Sequence, residues 1–219
     1  MALGATATYL DLTALVAIPP RGSNRAAPSE TRARIIETAA RLYRRIGHKK
    51  TTVADIAHDM SMSPANVYRF FQSKQTIEAA VAGELLNEVI VAACDAARGV
   101  GSATERLRAV LLAVERLHAF HSVNHHRLHE LVVIATRENW SVASTYADRL
   151  SSTVAQVISE GQAQGEFSEA DPMIITRCLL SAASAYVDPL LITAGANLNR
   201  PTLDQMIDFC IGALRAVPK

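Results

Sequence analysis

Apolar residues recur at steps of three and four along most of the chain, the spacing that places them on one face of an α-helix. The clearest run follows Ser29, a residue type that often caps helices, and ends at Gly47. Its apolar positions are Ile35, Ile36, Ala39, Leu42, Tyr43 and Ile46. No alternating β-branched run of strand length stands out, so the pattern predicts an all-α protein.

Local start signals divide the next segment into shorter helices. Thr52 and Asp55 resemble a capping box, with Asp in place of the usual Glu or Gln, and predict a short helix. A Ser-Pro pair predicts a second short helix over 63–70, because proline is favoured at the first helical position. Ser73 is expected to cap a much longer helix over 74–97, which we expect to link the front of the chain to the back.

The remaining pattern predicts five further helices, with Asn124 expected to cap the second of them. Their approximate ranges are 103–121, 125–137, 141–163, 171–193 and 201–216. Residues 1–28, which are rich in small residues and proline, are predicted to form a flexible arm without a fixed fold. The chain is therefore divided into this arm, a compact unit over 29–75 and a larger helical unit over 76–219.

Charge is distributed unevenly, although the net formal charge is only +1. Residues 21–75 carry 11 Lys or Arg against 4 Asp or Glu, and the rest of the chain carries 11 against 17. A basic front and an acidic back indicate that only the front meets a polyanion.

Several classes of protein are disfavoured by the same sequence. None of its apolar runs reaches the 18 residues that a membrane span needs, and no positive n-region of a secretory signal opens it. Cys94, Cys178 and Cys210 have no disulfide or metal-ligand spacing, which is typical of a reducing compartment. We therefore expect a cytoplasmic protein. Residues 76–219 contain no phosphate loop or catalytic signature, so an enzyme and a bound cofactor are not expected.

The two short helices and the turn between them have the form of a helix-turn-helix, in which the second helix lies in the major groove of DNA. The residues also resemble the TetR family of bacterial repressors. The resemblance spans about residues 30–85 and rests on Thr51-Thr-Val-Ala-Asp-Ile-Ala57, Ser63-Pro-Ala-Asn-Val-Tyr-Arg-Phe-Phe71 and Ser73-Lys74. It implies a three-helix DNA-binding domain on a larger helical regulatory domain, acting as a dimer.

The same resemblance assigns roles residue by residue. Four residues are expected to contact the DNA backbone: Thr51, Thr52, Tyr68 and Lys74. Five are expected at or near base edges: Ser63, Pro64, Ala65, Asn66 and Arg69. Two departures concern the turn and the helix end. Ser61 and Met62 occupy positions where the family usually has Gly and often Val. Phe70 occupies a position where the family often has Tyr or His. Because phenylalanine has no hydrogen-bond donor, the phosphate contact that the family makes at this position is not expected here.

For the larger helical unit, the resemblance implies a cavity for a largely hydrophobic effector among the middle helices. Candidate lining residues are Leu111, His118, Phe120, Leu131, Ile134, Trp140, Tyr146 and Tyr186. Five histidines fall within positions 118–129, and a continuous helix would place His121, His125 and His129 on one face. An alternative is therefore a metal- or pH-responsive regulator, although a helix break near Ser122 and Asn124 would scatter these histidines, and no metal site is assigned.

Wide apolar faces near the C-terminal end predict a four-helix dimer interface. The residues on these faces are Ile174, Cys178, Ala182, Ala185, Leu203, Met206 and Cys210. A twofold dimer suits a palindromic operator. The sequence thus favours a homodimeric repressor that a small effector releases from DNA. A helical dimeric interaction protein that does not bind DNA is the remaining alternative.

Overall fold

The computed structural model describes residues 28–192 and 200–215, and within them the chain is folded almost entirely into α-helices. Their bounds are α1 Pro28–Ile46, α2 Val53–Asp59, α3 Pro64–Tyr68, α4 Lys74–Ala97, α5 Ala103–Asn124, α6 His126–Arg137, α7 Ser141–Ala163, α8 Pro172–Ala182, α9 Ser184–Val187, α10 Pro189–Ile192 and α11 Leu203–Leu214. One isolated antiparallel bridge joins Phe167 to Arg215. The all-α prediction is confirmed.

The predicted start signals act as caps. Thr52 Oγ1 accepts a hydrogen bond from Asp55 N at 3.1 Å, and the Asp55 carboxylate accepts one from Thr52 N at 2.7 Å. Ser63 Oγ accepts from Asn66 N, and Ser73 caps α4 in the same way. Each cap satisfies an amide that has no partner inside its helix, which explains why these helices begin where the sequence predicts.

Several predicted boundaries were wrong. Helix α1 begins at Pro28, so Ser29 lies inside it and does not cap it. Helix α5 continues to Asn124, whose side-chain amide donates to Phe120 O, so this residue ends one helix and does not cap the next. The arm over 1–27, Thr193 and Ala216 lie outside the described residues.

The helix predicted over 171–193 is three helices within the described part of the chain. Ala183 separates α8 from α9, and Asp188 separates α9 from α10. Pro189 has no amide hydrogen and therefore cannot continue the backbone hydrogen bonds of a helix. Asp188 Oδ1 accepts a hydrogen bond from Leu190 N at 2.8 Å at the start of α10. The apolar pattern continues through these breaks, which explains why it did not reveal them.

Helix α4 lies at the centre of the packing and contacts α1, α5, α6 and α7. Its buried residues, which include Ile77, Leu86 and Ile90, join one hydrophobic core that runs from α1 to α11. Helix α6 also contacts α1, so two helices connect the first three helices to the rest of the protein. Across residues 28–192 and 200–215, none of the helices combines the length and apolarity needed to cross a membrane.

Candidate functional site

A tight turn holds α2 and α3 together. Ser61 adopts a left-handed conformation with φ of 54°, and Met62 N donates to Ala57 O at 2.9 Å. Ile56, Ala57 and Val67 are fully buried between the helices. This is the arrangement that a helix-turn-helix requires, because the buried contacts fix the angle at which the second helix is presented.

The outer side of α3 brings five of the predicted DNA-contacting residues together on the surface: Ser63, Pro64, Ala65, Tyr68 and Arg69. Tyr68 is half exposed, so its hydroxyl is accessible from outside the protein. Asn66 is half-buried, with its amide nitrogen 3.9 Å from Met62 Sδ. We call the surface over residues 63–69 the reading surface.

The three other predicted DNA contacts have different surroundings. Thr52 is exposed at the start of α2. Thr51 is fully buried, and its hydroxyl donates to Gly47 O at 2.9 Å, so the structure does not bring it to the surface. Lys74 Nζ donates to His48 O at 2.6 Å and lies 3.5 Å from Glu78 Oε1. The DNA-contacting roles of these residues remain predictions.

Positive charge surrounds the helix-turn-helix. Arg44, Arg45, Lys49 and Lys50 are all exposed at the end of α1 and in the following loop. The nearby carboxylates are already paired. The amide of Thr52 and then its hydroxyl lower the pKa of Asp55 by hydrogen bonding, and the Arg41 guanidinium lowers the pKa of Asp59 in the same way. A polyanion that approaches this side therefore meets an excess of exposed cations, of which Lys49 also pairs with Glu130.

A polar junction connects this region to α6. The Arg127 guanidinium donates to the backbone carbonyls of Arg44, at 3.2 Å, and Arg45. Lys49 Nζ donates to Glu130 Oε1 at 2.9 Å, and this hydrogen bond is the main cause that lowers the pKa of Glu130. His48, which is buried, lies between Glu78 and Glu130. Sequence reasoning missed this junction because its partners lie about 80 positions apart.

The predicted effector residues fall into three environments. Leu111, His118, Leu131, Tyr146 and Tyr186 are buried, Ile134 and Trp140 are half-buried, and Phe120 is 49% exposed. The Phe120 ring packs edge-on against the rings of His121 and His125 on the outside of the bundle. The Tyr186 hydroxyl donates to Pro201 O.

Two clefts in the helical bundle share Tyr146 in their walls. One, of about 220 Å³, lies between α4 and α7 and includes Gly83, Leu86 and Val142. The other, of about 200 Å³, lies between α7 and the α8–α10 segment and includes Leu180 and Pro189. Of the predicted effector residues, only Tyr146 lines these clefts.

The histidines do not form one stripe. His125 lies at the junction of α5 and α6, so His121 and His129 belong to different helices. Among the residues that the structure describes, no group of three or more His, Cys, Asp or Glu side chains is arranged to hold a metal. The metal-responsive alternative therefore has no geometric support in this part of the chain.

An apolar groove of about 340 Å³ lies between α8 and α11. It is lined by four of the predicted dimer residues, Ile174, Cys178, Ala182 and Cys210. Ala185 and Met206 are half-buried, and Leu203 is buried within its own chain. Sequence reasoning missed Phe209, which lines the groove and is 75% exposed. It lies off the apolar stripe of α11, and only its exposure in the folded chain reveals it.

Comparisons with known proteins place these features in a family. Residues 35–81 match the family model described as bacterial regulatory proteins, tetR family, and residues 103–207 match the model described as tetracyclin repressor-like, C-terminal domain. No curated protein matches the sequence.

Solved structures show the same fold. A TetR/AcrR family regulator from Thermobifida fusca is 23% identical with a TM-score of 0.58, over 83% of this chain and 94% of that one. The regulator PfmR from Thermus thermophilus is 22% identical with a TM-score of 0.53, over 85% and 100%. AibR in complex with isovaleryl coenzyme A and operator DNA is 22% identical with a TM-score of 0.50, over 85% and 98%.

Proposed function

Because the chain belongs to the TetR family of transcriptional regulators, which bind DNA and are not enzymes, we propose that it is a homodimeric repressor released from a palindromic operator by a small, largely apolar effector. The observation that carries the proposal is the reading surface on a helix-turn-helix. A protein that must reach DNA in this way acts in the cytoplasm. We divide it functionally into an arm over 1–28, a DNA-binding domain over 29–75 and a regulatory domain over 76–219.

On the reading surface, Tyr68 and Arg69 supply donors that reach phosphates or base edges, and Asn66 has the paired donor and acceptor that suit adenine. Ser63, Pro64 and Ala65 are small, which lets the N-terminal end of α3 approach the bases closely. Thr52, which is exposed at the start of α2, contacts the phosphate backbone.

The groove between α8 and α11 is the proposed dimer interface. Phe209 and Ile174 expose apolar surface that water would otherwise cover, and Ala182 allows close approach of a second copy. A twofold axis through this face would present two reading surfaces to one duplex, which is why we propose a palindromic operator.

Effector binding is proposed to act through α6. This helix buries Leu131 in the core of the regulatory domain, and on its N-terminal half Arg127 holds the end of α1 and Glu130 holds Lys49 in the loop that follows α1. A ligand that prefers a shifted α6 would change the orientation of the DNA-binding domain and shift the population away from the operator-bound geometry. The AibR complex holds isovaleryl coenzyme A together with operator DNA, so a protein of this fold can carry a small molecule and DNA at the same time.

The proposal is tested by fluorescence anisotropy with labelled duplex DNA from upstream of the protein's own gene. The wild-type chain should bind with an affinity that falls linearly with salt on a logarithmic plot. Arg69→Ala should weaken binding, by about tenfold for a loss of roughly 1.4 kcal/mol. The matched control is Arg98→Ala, which removes an equal charge at the C-terminal end of α4, the end that points away from the helix-turn-helix.

Two results would overturn the proposal. One is a wild-type dimer that has no salt-dependent affinity for any duplex. The protein would then be a helical dimeric interaction protein that does not bind DNA. The other is an equal loss of affinity in Arg69→Ala and Arg98→Ala, which would show that only overall charge matters and that the reading surface has no special role.

A further inference from the structure

A buried polar cluster lies where α5, α6 and α7 meet. It consists of His118 and His121 from α5, His129 from α6 and Tyr146 from α7, and we call it the histidine cluster. Each of the four side chains is at least nine-tenths buried. His118 Nε2 and Tyr146 Oη are 2.8 Å apart, and the rings of His118 and His129 meet edge to face with centroids 6.3 Å apart.

The cluster has hydrogen-bonding capacity that the protein does not use. The His129 ring lies beside the Pro189 backbone, but neither of its buried nitrogens makes a hydrogen bond of normal geometry among the described residues, and His121 Nδ1 is buried without a partner. A buried polar group that lacks a well-formed hydrogen bond destabilises the folded state, and an apolar side chain of similar shape would avoid this cost. Buried polar groups that lack hydrogen bonds are expected mainly at functional sites.

Tyr146 separates the histidine cluster from the two clefts described above. Its ring forms a wall of both, and its hydroxyl faces inward to His118. Each cleft alone is smaller than the roughly 300–1,000 Å³ that ligand sites usually occupy. Tyr146 is thus the one lining residue that the two clefts share, and its displacement would enlarge both and expose His118.

We propose that the effector enters by displacing Tyr146, and that the histidine cluster hydrogen-bonds the uncharged oxygen of a largely apolar molecule such as a ketone, an alcohol or an ester. The inference rests on the proposed function, because it names the chemical class of the effector. A neutral imidazole offers one donor and one acceptor, so it can pair with a carbonyl or a hydroxyl equally well.

Charge at the site selects for a neutral ligand. Burial, reinforced by the neighbouring histidines, lowers the pKa of His118 to about 3 and also lowers those of His121 and His129. The imidazoles are thus uncharged at neutral pH and give a carboxylate no counter-ion. Asp188 lines one cleft and would repel an anion further. One carboxylate reaches the cluster, because Glu88 Oε2 lies 3.3 Å from His121 Nε2, but more than half of the Glu88 side chain is exposed to water. An ammonium group would therefore have to lose its water to enter the cluster, beside a carboxylate that keeps much of its own.

Titration calorimetry on the DNA-free protein at pH 7.5 tests the ligand class with three probes of equal chain length: 2-octanone, octanoate and octylamine. We expect 2-octanone to bind at least about tenfold more tightly than either ion, which corresponds to roughly 1.4 kcal/mol. His129→Leu should weaken 2-octanone binding by a similar factor. His126→Gln, on the exposed side of the same helix, should bind as the wild type does.

A second readout separates loss of the ligand contact from loss of the fold. His129→Leu removes two buried nitrogens that make no hydrogen bond of normal geometry, so its midpoint of thermal unfolding should equal or exceed that of the wild type. The inference is overturned if 2-octanone does not bind, if octanoate or octylamine binds as tightly, or if His129→Leu leaves its affinity unchanged.

Operator binding, measured separately, distinguishes this inference from the proposed function. If 2-octanone binds as expected but the protein has no affinity for DNA, the ligand class stands and the repressor proposal fails. If the protein binds its operator but none of the three probes shows the expected selectivity, the repressor proposal stands and the ligand class fails.

Discussion

Ser61 occupies a position that favours glycine. Its φ of 54° is left-handed, which costs an ordinary residue about 1–2 kcal/mol, and part of this cost is offset because serine restricts the unfolded chain more than glycine does. We expect Ser61→Gly to raise the free energy of unfolding by about 0.5–1 kcal/mol in urea titrations. Ser61→Ala, which keeps a Cβ, should change it little. A lower stability for Ser61→Gly would show that the turn is not strained.

His118 makes stability depend on pH. The unfolded chain binds a proton at this side chain near pH 6.5, whereas burial keeps the folded one neutral down to a pKa of about 3. The unfolded state therefore binds more protons in this interval, so the free energy of unfolding falls as the pH falls below 6.5, by up to about 1.4 kcal/mol per unit.

Urea unfolding at pH 7.5 and 5.5 measures this effect in the wild type and in His118→Leu. The variant also leaves the Tyr146 hydroxyl without its partner, but that cost is the same at both pH values and cancels. We expect the wild type to lose about 1.4 kcal/mol more than the variant between the two pH values. Parallel losses would mean that His118 becomes protonated in the folded state as readily as in the unfolded one.

At the scale of the element, the sequence predicts most reliably the helices that begin with a local cap. Ser63 and Ser73 act on amides three residues away, so their signals are contained in a few positions. The reading surface was predictable for the same reason, because one short helix carries it. The α8–α10 segment was not, because its apolar spacing continues past Ala183 and only Pro189 marks a break.

The junction between α6 and α1 is an element-scale feature that invites a direct test. Removing the guanidinium in Arg127→Ala takes away the donor to the last carbonyls of α1, which is a loss of about 1–2 kcal/mol. Hydrogen exchange near the end of α1 should then become roughly 5- to 30-fold faster, while exchange in α7 is unchanged. Arg137→Ala, at the other end of α6, is the control. Equal exchange rates at the end of α1 in both variants would show that the junction does not couple α6 to the DNA-binding domain.

Phe209 tests the helices proposed to form the dimer. Because its ring is 75% exposed, Phe209→Ser should leave the chain folded. A twofold interface loses two buried rings, so dimer affinity should fall by about 100-fold or more. Sedimentation should then show a shift from twice the chain mass toward 23.6 kDa. Val123→Ser, which changes another exposed apolar side chain, should remain dimeric. An unchanged mass for Phe209→Ser would locate the interface elsewhere.

At the scale of the whole molecule, the uneven charge along the sequence predicted a front that meets a polyanion and a back that does not. What it could not reveal is how the two are connected. That connection depends on contacts such as those from Arg127 to Arg44 and from Lys49 to Glu130, which form only after the chain has folded. The position of Tyr146 between two clefts likewise depends on the packing of distant helices.

Two copies of the reading surface are proposed to recognise one palindromic duplex. This recognition is tested by sequencing the duplexes that the protein retains from a randomised library. We predict two inverted half-sites in the retained sequences of the wild type, and loss of the preference at one base pair of each half-site for Asn66→Ala. Retention without any sequence preference, or an unchanged preference in the variant, would contradict the account.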